Sequence, residues 1–302
     1  MKKSLILACL IGFTASSCQD NFLTVTPATS LSSATFFKTQ SDFQQAVNAA
    51  YVPLRTIFND RAWKLGELHS DNTYYARNTL FGAVDNTENI ADFALPTANG
   101  VTTNDNVLQQ WRQDYLIISR CNQILTLIDD VDFDASVKTN LKGQAQFLRA
   151  FAYFELVRYF GSVPLHLTPV SNRQEAALPL SSVEEIYAQI VKDAQDAAAS
   201  LLPKSTQEAG RVTSGTAKML LANLYIHQKK WTAAEPYLKD IINSGSYSLM
   251  PDYYNAFSGT TDNKNNAESI FEIQYMEGSA GYNGNLINQI VPTPITAAEL
   301  VT

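Results

Sequence analysis

The chain has 302 residues, 45% of them hydrophobic and 17% charged, with a formal net charge of −7. That is enough apolar material for one large or two ordinary domains with a real core. The acidic balance, with Lys and Arg gathered into no basic stripe, argues against a nucleic-acid partner.

At the N-terminus, Lys2 and Lys3 precede an apolar run from Leu5 to Phe13 and the small-residue string Ala15-Ser16-Ser17-Cys18, the pattern of an export signal. The run is too short to span a bilayer. A cysteine directly after small residues resembles the lipobox of bacterial lipoproteins, which implies cleavage before Cys18 and lipid on that residue. Ala15 stands where that pattern usually has Leu, and an ordinary secreted protein cut nearby is the alternative. Cys9 would leave with the signal and Cys121 would remain alone, so no disulfide framework is expected.

An extended lead-in, Phe22 to Pro27, is followed by a helix that opens at Ser41 with Gln44 as its capping-box partner. Phe43, Val47, Ala50, Tyr51, Leu54 and Phe58 trace its apolar face, and Pro53 predicts a kink. Residues 63 to 76 read as a shorter helix fraying at Asp71 and Asn72, and 77 to 105 as a long loop, a length more often functional than not. Helical spacing returns over 107 to 129, where Asn122 is a polar exception that needs a buried partner.

The stretch Gln144 to Leu165 has the densest aromatic content in the chain. Only Arg149, Glu155 and Arg158 interrupt its apolar run from Phe147 to Phe160, so it is expected to be covered on at least two sides, with Gly161 and Pro164 ending it. Ser182 and Glu185 form a capping box for the next helix, whose face runs Val183, Ile186, Ile190, Ala194, Ala197 and Leu201. Over 213 to 247, Leu221, Ala222, Tyr225, Ala234 and Leu238 fall at tetratricopeptide spacings, although Lys218 replaces the usual tryptophan. Ile270 to Tyr275 alternates like a short strand. Trp111 and Trp231 sit at helical spacings and are read as core.

Several of these stretches together resemble the SusD/RagB family of glycan-binding outer-membrane lipoproteins of Bacteroidetes. They are Cys18 to Leu23, Thr35 to Thr39, Gly66 to Asn72, Arg120 to Leu125, Leu148 to Ala150, Phe160 to Leu165 and Asn266 to Ile273. The resemblance implies a mostly α fold of tetratricopeptide-like helical hairpins, with long irregular loops and one or two short strands. It implies no catalysis. It also implies a lipid-anchored protein at the outer-membrane cell surface that binds oligosaccharide and partners a SusC-like TonB-dependent transporter. The family is longer than this chain, and residues 291 to 302 read as the start of its next segment, so 18 to 302 corresponds to its N-terminal part and exposes an apolar patch.

Sugar recognition places aromatic faces on ring C–H patches and amides, carboxylates or Arg on hydroxyls. Tyr74, Tyr75, Arg77, Asn78 and Phe81 supply that mixture in the first loop, and Tyr275, Tyr282, Asn283 and Asn285 supply it near the C-terminus. The alternatives are a tetratricopeptide-type protein adaptor or a surface glycoside hydrolase using Glu67 and Asp71 at i and i+4. The scattered His69, His166 and His227 suggest no metal site. No cofactor is expected; Asp262 to Asn266 offers oxygen ligands for calcium, against which Lys264 stands at a coordinating place.

Overall fold

A computed structural model describes residues 36–73, 86–93, 104–257, 263–276, 278, 283 and 284. Two units divide the chain, Met1–Lys38 and Thr39–Thr302. In the first, the rings of Phe36 and Phe37 meet edge to face at 4.8 Å. All the helices named below belong to the second.

Helix α1, Gln40–Thr56, starts from a capping box of Thr39 and Asp42, two residues ahead of the expected Ser41 and Gln44. The carboxylate is the stronger acceptor: Asp42 Oδ2 takes the Thr39 N–H at 2.8 Å. Phe43, Ala46, Val47, Ala50 and Leu54 are buried along one face. Pro53 has no N–H to give to the Ala49 carbonyl one turn back, and Arg120 Nη1 supplies the missing donor at 2.5 Å. Past the proline the helix widens into a π-turn, Ile57–Arg61, and continues as α2, Ala62–Glu67. The separate helix expected over 63 to 76 is therefore the tail of one long helical run. It stops at Glu67, whose carbonyl accepts from Ser70 N at 2.9 Å and Thr73 Oγ1 at 2.5 Å.

Inside the expected loop of 77 to 105 lies a short helix, α3, Asn86–Ala91, anchored by the fully buried Ile90. One apolar anchor in six residues is too little to show as a period. Helix α4, Asp105–Leu127, is capped by Asn104 and leads into a 3₁₀ turn, Ile128–Asp130. Helix α5, Ala135–Phe160, opens on the Asp134 cap and ends at Gly161, whose φ of 69° excludes most other residues. It is buried nearly all round from Leu141 to Val157.

After a four-residue turn of helix, α6, Arg173–Ala176, come α7, Val183–Ser200, with the expected Ser182–Glu185 box, then α8, Ser214–His227, and α9, Trp231–Asn243. A last short helix, α10, is Tyr253–Phe257. Each long helix packs on the next in space: α1 on α4, α4 on α5, α5 on α7, α7 on α8 and α8 on α9. Helices α8 and α9 are the tetratricopeptide-like hairpin, closed by buried Leu221, Ala222 and Ala234 and by Tyr225 stacked on Tyr237 at 6.0 Å.

Polar groups tie this apolar stack together. Arg149 meets Asp193 of α7 in two bonds of 2.8 Å, and its Nη1 donates to Asn122 of α4 at 2.9 Å. Asn122 in turn donates to the carbonyls of His166 and Thr168, the buried partners its position required. Burial opposes the Arg149 charge, but Asp193 outweighs it and the guanidinium pKa stands above its usual value. The Tyr153 hydroxyl both donates to His166 O at 2.8 Å and accepts from His166 N at 2.7 Å. The chain leaving α5 is thus stitched back onto α4 and α5.

Two further expectations fail. Ile270 to Tyr275 is extended, but no strand pairs with it among the described residues. Side chains take its carbonyls instead, Thr216 Oγ1 at Ile270 and Lys264 Nζ at Tyr275. Trp231 is 62% exposed, at the first residue of α9; Trp111 is half-buried between Tyr115 and Phe160. Exposed apolar side chains gather in this C-terminal region, with Ile242, Leu249, Tyr253 and Phe257 each more than 70% exposed.

Candidate functional site

A proline-containing helix that widens into a π-turn turns its last side chains out of the α register, and such turns are frequent at functional sites. Here the turn delivers Asn59, Asp60 and Arg61 to a cavity of about 210 Å3 that is also lined by Arg55, Tyr275 and Asn283. Asp60 is held by Lys64 Nζ at 2.7 Å, and Arg61 lies 3.6 Å from Asp60 and 3.5 Å from Asp105. Tyr275 donates its hydroxyl to Arg55 O at 3.3 Å, and burial pushes that hydroxyl up to about 12 against the opposing charge of Arg55.

Val52 and Arg55 also line a neighbouring cavity of about 250 Å3 with Tyr51, Arg211, Phe271 and Gln274. Tyr51 donates to Gln144 Oε1 at 3.0 Å, and burial raises its pKa. Arg211 donates to Asn48 Oδ1 at 2.7 Å and pairs with Glu208. Together the two cavities form a groove along the outer face of α1, with aromatic walls and fixed charges and amides. It can accept a hydroxyl-rich ligand with apolar patches.

Of the ligand-contacting residues expected from sequence, Asn283 lines this groove, as does Tyr275. Tyr74, Tyr75, Arg77, Asn78, Phe81, Tyr282, Asn285 and the lipidation residue Cys18 lie outside the described residues. The π-turn residues escaped sequence reading, for which Pro53 followed by Asn59-Asp60-Arg61 was the only cue. The hydrolase pair does not assemble: α2 ends at Glu67, so Asp71 sits in the following turn and the two carboxylates share no helix face. Both are exposed, and Glu67 accepts from Ser70 Oγ at 3.2 Å.

The histidines are spent on packing. His69 stacks on Phe93 at 4.3 Å, while His166 and His227 meet Tyr115 and Phe154 edge on. Burial lowers the pKa of the latter two. Cys121 is fully buried and its thiol is pushed up to about 12 by that burial, which makes it inert. Near the calcium candidate, Asn266 Oδ1 accepts from the Glu268 and Ser269 amides, and Asn265 exchanges two bonds with Gln274. Among the described residues no group of three His, Cys, Asp or Glu is placed to hold a metal ion, and no helix is long and apolar enough to cross a membrane.

Stacked helical pairs carrying a polar, aromatic-walled groove define a helical-repeat scaffold. Residues 21–226 match a family described as starch-binding and associating with the outer membrane, and the chain belongs to this SusD-like family. A SusD-like protein of Formosa agariphila, P2, is 28% identical over 96% of this chain and 57% of its own length. The crystal structure of a SusD superfamily protein from Bacteroides vulgatus matches at 27% identity with a TM-score of 0.66, over 78% of this chain and 50% of that one. A laminarin-binding SusD-like protein matches at 25% identity with a TM-score of 0.65, over 78% of this chain and 51% of that one. The chain spans about half the length of the curated relatives it matches.

Proposed function

We propose that this protein binds an oligosaccharide at the cell surface and passes it to a TonB-dependent outer-membrane transporter, anchored by lipid on Cys18. The observation that carries the reading is the convergence of Tyr275 and Asn283 with Asn59, Asp60 and Arg61 on one cavity. A ring face beside amide, carboxylate and guanidinium groups matches the alternating apolar and hydroxyl surfaces of a sugar. Membership of a family described as starch-binding, and the laminarin-binding relative, support the same ligand class. The anchor has a physical role: one acyl chain holds a protein marginally and several hold it stably.

Affinity electrophoresis against a panel of polysaccharides tests the reading. The wild type is expected to be retarded by at least one glycan, and Asn283→Ala to weaken that retardation by about tenfold, the effect of one lost hydrogen bond of ~1.4 kcal/mol, with Tm unchanged. Retardation by no glycan would favour a protein-binding adaptor. Unchanged retardation of the variant would move the site away from Asn283.

A further inference from the structure

Helix α4 carries a buried polar stripe. Asn106, Gln110 and Asp114 recur every four residues on one face and are 6%, 0% and 0% exposed, where a packed helix ordinarily presents apolar side chains. Gln110 Nε2 donates to Asp114 Oδ2 at 2.9 Å. The other terminal atom of each group, the amide oxygen Gln110 Oε1 and the carboxyl oxygen Asp114 Oδ1, is buried without a hydrogen-bond partner. Both atoms are acceptors when Asp114 is ionised, so each bears a desolvation penalty that nothing offsets. A single proton placed between them removes both.

We propose that Asp114 is a neutral carboxylic acid in the folded protein, its proton on Oδ1 donated to Gln110 Oε1, so that the two side chains close a two-bond acid–amide ring. The amide form of such a ring is present elsewhere in the molecule, where Asn265 and Gln274 exchange bonds of 3.2 and 3.0 Å.

The surroundings favour the neutral form. Burial raises the Asp114 pKa well above the carboxylate range; the Gln110 bond and Arg158 oppose the rise and Glu155 adds to it. Glu155, on α5, is itself buried and already bonded to Arg158. Burial also raises the hydroxyl pKa values of Tyr115 and Tyr159, which feel the Asp114 charge as well. On the other elements against α4, Asp60, Arg61 and Lys64 are paired with one another or with Asp105. Asp42 serves its capping box, Arg55 ends α1 and Asp129 pairs with Lys142. Asp130 closes the 3₁₀ turn, and the residues of α3 whose side chains are described, Asn89 to Ala91, carry no charge.

The arrangement is a pH-sensitive pair within α4 that lies near Glu155 of α5. The unfolded chain releases this proton near pH 4, whereas the folded protein retains it to higher pH. Between those two values the native state binds one proton more than the unfolded state, so its stability falls as pH rises. The folded-to-unfolded ratio drops by up to about tenfold per pH unit from this group, and levels off once the folded value is passed. Ionisation then sets Asp114 against Glu155 across the interface.

Asp114→Asn keeps the shape and supplies a permanent N–H in place of the acid proton. Thermal unfolding of wild type and variant, followed from about pH 5 to about pH 10, is expected to show a Tm difference that grows in favour of the variant as pH rises. At neutral pH the infrared C=O stretch of a protonated carboxyl should be present in the wild type and diminished in the variant. Parallel pH curves together with an unchanged carboxyl band would overturn the assignment. Should the variant fail to fold, wild-type protein labelled with carboxyl-¹³C aspartate decides the matter. One aspartate carboxyl resonance that stays at the protonated-acid chemical shift from about pH 4 to pH 7 supports the ring, and every aspartate standing at the ionised-carboxylate shift by about pH 7 excludes it.

Discussion

Single residues decide where this helical stack is strong. Pro53 leaves the Ala49 carbonyl without its intrahelical donor, and Arg120, from a helix more than sixty residues later, fills the gap at 2.5 Å. Replacing Arg120 by Met is expected to cost about 1 kcal/mol, the net worth of a hydrogen bond to a partly buried acceptor. In a Pro53→Ala background the restored N–H should reduce that cost to near zero, so denaturant unfolding of the four proteins in the cycle gives a strong non-additive term. Equal costs in both backgrounds would deny the link. Arg149 works at the same scale: Asp193 is 1% exposed in its side chain, so losing the guanidinium would strand a buried carboxylate. The need of Asn122 for a partner was legible in the sequence because it breaks an apolar period. The identity of that partner was not, since Arg149 reads locally as an interruption of an apolar run and stands 27 residues from Asn122 in the chain.

At the scale of elements, periodicity located the long helices and local hydrogen bonding set their ends. The Ser182–Glu185 box formed as read, whereas Thr39 and Asp42 displaced Ser41 and Gln44 because a carboxylate outcompetes an amide. Extended character at Ile270 to Tyr275 was readable from alternation, but pairing depends on a neighbour that alternation does not specify, and here side chains from α8 and from Lys264 take that place. Close packing of α5 on α7 depends on Gly143, where a Cβ would come within 2.9 Å of Ser200 Cβ and 3.2 Å of Leu201 Cγ. Gly143→Val should therefore separate the two helices and destabilise by about 1–3 kcal/mol, measured as a lower urea midpoint with an unchanged m-value. A neutral outcome would mean that the helix ends yield more readily than their burial suggests.

Across the whole molecule, apolar exposure is uneven. Among the described residues, Phe93 and Leu180 are exposed singly between α1 and α8, while Trp231, Ile242, Leu249, Tyr253 and Phe257 stand in solvent close together in sequence. Exposed apolar surface of this kind is an interaction site or an aggregation liability. The double variant Trp231→Glu, Ile242→Lys is expected to bind markedly less ANS and to remain monomeric at higher concentration, with unfolding free energy changed by no more than surface substitutions usually cause, about 0.5 kcal/mol. Unaltered dye binding would place the exposed surface elsewhere. Family and helical architecture were readable because their marks are spread along the chain in order. The groove was only half readable: Tyr275 and Asn283 carry the chemistry of sugar contact in their side chains, whereas Asn59, Asp60 and Arg61 become relevant only through the geometry of a π-turn.

The stitching of the α5 exit has a consequence for how this chain tolerates change in length. With Val163 to Thr168 tied to Tyr153 and Asn122, and Ser181 N donating to Val163 O at 3.0 Å, the connector between them is a loop pinned at its base. Residues 170–180 are exposed throughout. Closure of such a loop depends only logarithmically on its length, each doubling adding about 0.6 kcal/mol. This segment is the place where a tag, a fluorophore or a whole inserted domain enters the chain without disturbing the helices on either side.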